Sequence, residues 1–157
     1  MSEIIKRFNI FTDGACKGNP GPGAYSYIIL DNDKILYKYS EGFIRTTNNR
    51  MELMAIIEAL KYIKLTYNSF ECNVFSDSKY VTDTFNKNWI SNWLNNKFKK
   101  VKNTDLWNSY INIAKGLNIK YFWVKGHKGV TYNEECDKMA SSSINNKILK
   151  EDIGYIN

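Results

Sequence analysis

The segment Phe8–Gly14 places the firmest limit on the fold, because it has the pattern of a short buried strand that ends at a charged residue. Its apolar, aromatic and β-branched residues favour a strand in the middle of a sheet. Asp13 closes this pattern, and an unpaired carboxylate is costly in a buried setting. Two interpretations are open at this point. Asp13 and Gly14 form an ordinary turn, or Asp13 is a metal ligand at the edge of a sheet.

The remaining hydrophobic pattern predicts a mixed α/β fold. Two further strands joined by a turn follow the first one, which indicates an antiparallel meander. The apolar period then becomes helical from Leu53 to Ile63. The other predicted strands are Ala24–Leu30, Ile35–Phe43, Cys72–Ser76 and Ile119–Val124, and the other predicted helices lie around 80–85, 104–116 and 133–145. The resulting order, βββαβααβα, predicts a five-stranded mixed sheet flanked by helices.

Length and composition favour one basic domain. The 157 residues suit a single domain spanning 1–157. The net charge of +6 favours a polyanionic partner, nucleic acid first, although charge alone leaves other basic proteins open. Cys16, Cys72 and Cys136 are odd in number and far apart, which argues against a disulfide framework and fits a reducing compartment. No apolar run could span a bilayer, and no signal-peptide core precedes the first strand. We therefore expect a cytoplasmic monomer with no membrane partner.

Four acids occupy similar local positions and suggest a common site. Each one ends a predicted strand or lies in the first turn of a predicted helix; they are Asp13, Glu52, Asp77 and Asp137. Such positions converge at one edge of an α/β sheet. Oxygen ligands in a chain with one histidine suit Mg²⁺ or Mn²⁺ rather than zinc. Taken singly, each acid could be a turn residue, a helix cap or a partner of the helix dipole, but four at matching positions favour a metal site for phosphodiester hydrolysis.

The segments that contain these acids resemble type 1 ribonuclease H. They stand in the family's order, and the resemblance runs from Phe8 to the end of the chain. The matching segments are Thr12-Asp13-Gly14, Gly18–Gly23, Arg45–Leu53, Ser76–Val81, Val101–Trp107, Trp123–Gly129, Asn133–Asp137 and Gly154-Tyr155.

The resemblance implies a ribonuclease H-like fold and an endonuclease that cleaves the RNA strand of RNA–DNA hybrids. Cleavage in this family uses two Mg²⁺ ions, with Mn²⁺ as a substitute, and leaves 5′-phosphate and 3′-hydroxyl ends. The resemblance makes all four acids catalytic metal ligands and adds the carbonyl of Gly14 as a further ligand. It also assigns His127 to a flexible loop that helps proton transfer and product release, which fits an imidazole titrating near neutral pH.

The resemblance also assigns residues to each strand of the hybrid. The residues assigned to the RNA minor groove are Cys16, Asn19, Asn48 and Asn49, and small amides suit recognition of the 2′-hydroxyl. The residues assigned to one DNA phosphate are Arg45, Thr47 and Asn103, whereas Tyr80 and Trp89 are assigned to DNA sugars. The simpler interpretations are helix capping for the Asn48-Asn49 pair and core packing for the two aromatic residues.

One segment departs from the longer bacterial pattern. Between Trp93 and Val101 the basic protrusion of the family is shortened and carries fewer cations. We therefore expect weaker hybrid binding with a shallower salt dependence than in a member with a full protrusion. Two other hypotheses remain, namely a binding module without turnover, and a related nuclease such as a Holliday-junction resolvase or an integrase. The retained acids oppose the first, and the contexts of Asn48-Asn49 and Gly126-His127 oppose the second, whereas the fold alone would not decide.

Overall fold

The computed structural model describes residues 5–97, 101–124, 131–146 and 148–155. Its strands are β1 (Arg7–Cys16), β2 (Gly21–Asp31), β3 (Lys34–Thr46), β4 (Glu71–Ser76) and β5 (Asn118–Trp123). Its helices are α1 (Asn48–Lys64), α2 (Lys79–Asn86), α3 (Trp89–Asn95), α4 (Thr104–Ala114) and α5 (Thr131–Ile144). The predicted order is confirmed except for α3, which the sequence analysis missed. This helix has only seven residues, too few for its apolar residues to establish a helical period, and Ile90 and Trp93 pack against the core without being buried.

The five strands form one mixed sheet in the order β3-β2-β1-β4-β5. The pairs β1–β2 and β2–β3 are antiparallel, which confirms the predicted meander. The pairs β1–β4 and β4–β5 are parallel. β1 is therefore the central strand, as its composition predicts.

One boundary differs from the prediction at the position that matters most for the site. Strand β1 does not end at Asp13 but continues to Cys16, paired with β2 through Gly14↔Tyr25 and Cys16↔Gly23. Gly14 does not make a turn. A Cβ there would lie 2.5 Å from the backbone nitrogen of Glu52, so the glycine allows α1 to approach the strand closely.

Helices α1 and α5 cover opposite faces of the sheet. The apolar side of α1 packs on Phe8 and Ile10 of β1, and Leu53, Ile56 and Leu60 are fully buried there. On the other face Phe11 belongs to a separate cluster with Cys136 of α5. Neighbouring residues of a strand point to opposite faces, so β1 receives one helix on each side. This arrangement brings residues of both helices towards the end of β1.

The described residues also test the expectations about membrane spans and disulfides. No helix within these residues has the length and apolar character needed to cross a bilayer. The three cysteines are free thiols, as the sequence analysis predicts.

Candidate active site

Three of the four predicted acids meet in the structure. Asp13 lies near the end of β1, Glu52 lies in α1, and Asp77 follows the last residue of β4. Each offers a carboxylate oxygen, and these three oxygens all lie within 4.8 Å of one another. Asp13 and Glu52 are buried, with exposed fractions of 5% and 3%. The predicted convergence is therefore confirmed for these three acids.

The contact between β1 and α1 fixes the first two carboxylates. The Gly14 N–H donates to Oδ1 of Asp13 at 2.9 Å and so orients that carboxylate. Thr47 caps α1 by accepting a hydrogen bond from the Arg50 N–H at 3.3 Å. Because the helix starts directly after Thr47, Glu52 lies in its second turn, and the prediction of a first-turn position was wrong. The capping interpretation of Asn48 and Asn49 was also wrong, since Thr47 takes that role.

The backbone around Asp77 is held on both sides. The buried Ser76 hydroxyl accepts from the Ser78 N–H at 3.1 Å, and the Ser76 carbonyl accepts from the Val124 N–H at 2.9 Å. The indole N–H of Trp123 donates to the Asp77 carbonyl at 3.0 Å. The end of β5 therefore fixes the position at which β4 presents its carboxylate.

The fourth acid, Asp137, approaches from the opposite face of the sheet. Two hydrogen bonds hold its turn of α5 against the strands: Ser26 Oγ donates to the Cys136 carbonyl at 2.6 Å, and the Cys136 thiol donates to the Phe11 carbonyl at 3.4 Å. Besides burial, the negative charge of Asp137 and a hydrogen bond with its side chain both raise the pKa of Asp13. Because α5 begins at Thr131, earlier than predicted, Asp137 lies in the second turn and not the first.

The electrostatics of this cluster favour a bound cation. Burial is the largest cause, followed by the charges of Asp77 and Asp137, and together they raise the pKa of Asp13 to about 8. Burial, followed by the charges of Asp13 and Asp77, raises the pKa of Glu52 well above its ordinary value. Oε2 of Glu52 is buried and has no hydrogen-bond partner among the described residues. Such an oxygen-only donor set fits a hard divalent cation.

The structure brings all four predicted RNA-strand residues to the start of α1. The Asn48 N–H donates to Oδ1 of Asn19 at 2.9 Å, which connects the loop between β1 and β2 to the start of the helix. The Cys16 thiol lies 3.3 Å from the Thr46 carbonyl, two residues before Asn48. Asn49 is exposed on the first turn. These residues form a small polar surface beside the carboxylates.

Two of the three residues predicted to contact a DNA phosphate line one cavity of about 390 Å³. The cavity is lined by Thr47, Arg50, Lys102, Asn103, Thr104, Asp105, Gly154 and Tyr155. Arg45 lies at a neighbouring cavity that shares Tyr155. Tyr80 contacts the lining of the first of these cavities, since its hydroxyl accepts a hydrogen bond from Nδ2 of Asn103, a residue that lines the cavity of about 390 Å³, at 3.3 Å.

The two aromatic residues assigned to DNA sugars have different surroundings. The Tyr80 hydroxyl also accepts from Trp107 Nε1 at 2.9 Å, and the two rings meet edge to face, so part of its surface packs on the core. Trp89 begins α3 and is half-buried, with Nζ of Lys87 5.7 Å from its ring centroid. His127 of the predicted flexible loop, and Lys99 and Lys100 of the shortened protrusion, lie outside the described residues.

A buried ion network beside the cavity was missed by the sequence analysis. Arg50 donates to both carboxylate oxygens of Asp105 at 2.8 and 2.7 Å, and to both of Asp152 at 2.7 and 3.0 Å. Arg50 and Asp152 are almost fully buried. The one sequence signal near α1 is that a charged residue, Arg50, directly precedes the apolar stripe of this helix. Its partners Asp105 and Asp152 lie in distant segments of the sequence, so no local pattern connects them to Arg50.

Comparison with known proteins relates this chain to one family of nucleases. A family model of RNase H matches residues 5–145. The ribonuclease H of Trichodesmium erythraeum is 40% identical over 99% of this chain and 99% of its own length. LC9-RNase H1, described as a type 1 RNase H with the type 2 active-site motif, has 25% identity and a TM-score of 0.82 over 92% of this chain and 74% of its own.

The structure of LC11-RNase H1, determined in complex with an RNA/DNA hybrid, shares the fold. Its TM-score is 0.70 at 23% identity over 87% of this chain and 96% of its own. Fold, carboxylate cluster and sequence similarity therefore agree: this chain belongs to the ribonuclease H family and is a hydrolase.

Proposed function

We propose that this protein is an endonuclease that hydrolyses the RNA strand of RNA–DNA hybrids and leaves 5′-phosphate and 3′-hydroxyl ends. The observation that supports it most is the meeting of Asp13, Glu52 and Asp77 within 4.8 Å at the end of the central strand. Membership of the ribonuclease H family supports the same substrate. The net charge of +6 suits a polyanion.

The carboxylates would hold two Mg²⁺ ions, for which Mn²⁺ can substitute. Asp13, Glu52 and Asp77 supply clustered oxygens, and Asp137 adds a fourth carboxylate from α5. A carbonyl ligand from Gly14 stays a prediction, since the described contact of this residue is made by its N–H. When bound, such a pair of ions activates the attacking water and stabilises the leaving oxygen. The chain itself contributes a rigid, desolvated set of oxygens whose mutual repulsion the ions relieve.

The polar surface at the start of α1 would hold the RNA strand. Its members Cys16, Asn19 and Asn48 present a thiol, an amide and backbone groups near the carboxylates. Asn49 extends this surface on the exposed side of the first turn. Such groups can both donate to and accept from a 2′-hydroxyl, which is the group that distinguishes RNA from DNA.

The cavity beside α4 would hold the DNA strand. Thr47 and Asn103 would bind one backbone phosphate there, with Arg45 adding a cation from the neighbouring cavity. Tyr80 and Trp89 would pack against DNA sugars with the parts of their rings that are not buried. Binding of the RNA strand and the DNA strand at separate places on one surface would explain why the protein selects a hybrid over duplex DNA or duplex RNA.

We propose one domain spanning residues 1–157 that acts as a monomer in the cytoplasm. The single described sheet supports the first statement, and three free thiols fit a reducing compartment. A Stokes radius from gel filtration tests the monomer, and a protease-resistant core tests the single domain.

A cleavage assay tests the proposed activity directly. A hybrid labelled on its RNA strand is incubated with Mg²⁺, beside duplex DNA, duplex RNA and an Asp77→Asn variant. We expect cleavage of the hybrid RNA only, and none by the variant. Asp33→Asn is a matched control, because it removes a carboxylate from the exposed turn between β2 and β3. Appreciable cleavage by folded Asp77→Asn, or an intact hybrid after long exposure to the wild-type protein, would refute the assignment.

Metal binding needs a measurement that does not depend on turnover. Isothermal titration of the metal-stripped protein with MgCl₂ should detect binding that Asp77→Asn weakens and Asp33→Asn leaves unchanged. Equal binding heats in all three proteins would argue against the carboxylate cluster as the metal site.

A further inference from the structure

We propose that residues 148–155, which we call the C-terminal segment, position the DNA-strand site through Asp152 and Gly154. In this role Asp152 is a positioning residue, which acts through Arg50 on Thr47 and Asn103. The inference rests on the proposed function, because it takes Thr47 and Asn103 to be contacts to a DNA phosphate.

The C-terminal segment is attached to the sheet at its edge strand. The Lys150 N–H donates to the Gly42 carbonyl at 2.9 Å, and the Lys150 carbonyl accepts from the Ile44 N–H at 2.8 Å. Lys150 also forms an ion pair with Glu41. Two residues later, Asp152 is buried and accepts a hydrogen bond from Thr46 Oγ1 at 2.6 Å. The segment therefore runs from the edge of β3 to the start of α1.

Arg50 connects this segment to both proposed phosphate contacts. Its backbone N–H donates to the hydroxyl of Thr47 at 3.3 Å, and its guanidinium donates to Oδ1 of Asn103 at 3.4 Å. The same guanidinium is paired in bidentate fashion with Asp152 and with Asp105. A bidentate pair fixes the plane of a guanidinium, so Asp152 sets the direction in which Arg50 meets Asn103.

Asn103 needs such support because of its backbone. Its φ of 61° lies in the left-handed region, and its side chain does not cap α4. The amide instead bridges Arg50 and the Tyr80 hydroxyl, with its NH₂ group donating to Tyr80 at 3.3 Å. A non-glycine residue keeps this backbone conformation when its surroundings determine it. The side chain that would face the phosphate is thus oriented by its two neighbours.

The charges of the network formed by Arg50, Asp105 and Asp152 argue that it positions the phosphate contacts and does not itself bind the phosphate. One guanidinium faces two carboxylates, Asp105 and Asp152, so the network carries a net negative charge beside a site for a phosphate. By Coulomb's law alone, removing the Asp152 charge should strengthen binding of a polyanion. If Asp152 positions Thr47 and Asn103, its removal should weaken binding. The two explanations therefore predict opposite signs.

Gly154 offers a second way to disturb the same contact without changing charge. A Cβ at this position would lie 1.9 Å from Oδ2 of Asp105 and 2.8 Å from Nη2 of Arg50. Because both atoms belong to the ion pair between Arg50 and Asp105, Gly154→Ala should displace these side chains or the C-terminal segment and so disturb the network. Glu41→Gln is the matched control for Asp152→Asn: it also removes one negative charge and one ion pair of the C-terminal segment, but outside the cavity.

The experiment measures KM and kcat on a labelled hybrid, together with hybrid binding by fluorescence anisotropy in EDTA at several salt concentrations. We expect Asp152→Asn and Gly154→Ala to raise KM and the dissociation constant about 10-fold, the size of one lost charged contact. kcat should change less than about twofold, the pattern of lost uniform binding. The slope of log affinity against log salt should stay close to the wild-type value, because Thr47 and Asn103 are uncharged and their phosphate contacts release no counterions. Glu41→Gln should match the wild type.

Circular dichroism at the assay temperature establishes which variants are folded, and Gly154→Ala provides the test if Asp152→Asn is not. An unchanged or lower KM in folded Asp152→Asn, or a KM increase as large in Glu41→Gln, would overturn the inference. So would an unchanged KM in Gly154→Ala. If the wild-type protein binds the hybrid but does not cleave it, the proposed function fails, whereas the anisotropy measurements still decide the role of Asp152.

Discussion

Replacing Asp13 by Asn should stabilise the metal-free protein while it abolishes cleavage. Asp13 is buried among other acids, and in the absence of a cation its charge is repelled by its neighbours. Asn has nearly the same shape, and its side-chain oxygen can still accept the hydrogen bond from the Gly14 N–H. The substitution therefore removes the charge and leaves the packing intact.

The magnitude follows from the pKa of Asp13, which burial and the charges of Asp77 and Asp137 raise from 3.8 to about 8. Each tenfold change in proton affinity corresponds to about 1.4 kcal/mol. At pH 7 the unfolded chain carries the ionised group at no cost, whereas the folded state must either bind a proton or bury the charge. Because pH 7 lies about 3 above the unfolded-state pKa of 3.8, the penalty is about 4 kcal/mol on the free energy of unfolding, a large part of the roughly 5–15 kcal/mol typical of a domain.

The sign of the pH dependence follows from the same shift. Because the folded-state pKa of Asp13 lies above its unfolded value, the folded protein binds the proton more tightly. Stability of the metal-free protein should therefore decrease as the pH rises from about 4 to about 8. Asp13→Asn should flatten this slope, and it should also relieve Glu52, whose pKa is raised partly by the charge of Asp13.

Urea denaturation at pH 5, 6, 7 and 8, in EDTA and in saturating Mg²⁺, measures these effects. We expect the wild type to lose stability with pH in EDTA and to regain it with Mg²⁺, and Asp13→Asn to gain little from the metal. Asp33→Asn should follow the wild type, because its carboxylate is exposed in a turn. A flat wild-type profile in EDTA, or a variant less stable than the wild type at pH 7, would refute the electrostatic reasoning.

Three other substitutions test separate parts of the site. Gly14→Ala places a Cβ 2.5 Å from the Glu52 backbone nitrogen, so it should cost about 1–3 kcal/mol in urea denaturation and weaken Mg²⁺ binding in a calorimetric titration; wild-type values for both would show that α1 can move away freely. Trp123→Phe removes the hydrogen bond to the Asp77 carbonyl and should lower kcat several-fold with KM unchanged, corresponding to about 1 kcal/mol; a change in KM alone would point to a substrate contact instead. His127→Ala should slow turnover by roughly 10²–10⁴ without eliminating it, and a normal rate in a pH–rate profile would exclude a proton relay.

The order of strands and helices was predictable because it depends on local periodicity. The nearly continuous apolar run of β2 and the helical spacing of Leu53–Ile63 each identify an element from a few neighbouring residues. Helix α3 was not predictable in this way, since its seven residues are too few to establish a period, and Ile90 and Trp93 pack on the core without being buried. The end of β1 was misplaced for a related reason. Asp13-Gly14 is a common turn pair, and only the approach of α1 explains why the glycine lies inside a strand.

The convergence of the acids at one edge of the sheet was predictable, but the helical turns that present two of them were not. Carboxylates at the ends of parallel strands meet at one edge of a sheet, and Asp13 and Asp77 do so. The exact turns that present Glu52 and Asp137 depend on where each helix begins, which is the least certain feature of a sequence-based prediction. The Arg50 network had no comparable signal. Its two carboxylates are contributed by α4 and the C-terminal segment, and no local pattern relates them to α1.

The central position of β1 also has a consequence for biosynthesis. This strand is synthesised before β4 and α5, so it has no parallel neighbour until β4 follows, and Asp137 cannot reach it until α5 follows. Domains usually fold as units, and translation adds only about 5–20 residues per second. A nascent chain would therefore expose the apolar residues of β1 for several seconds with no nuclease activity, and newly made protein would become able to cut nucleic acid only when α5 has been released.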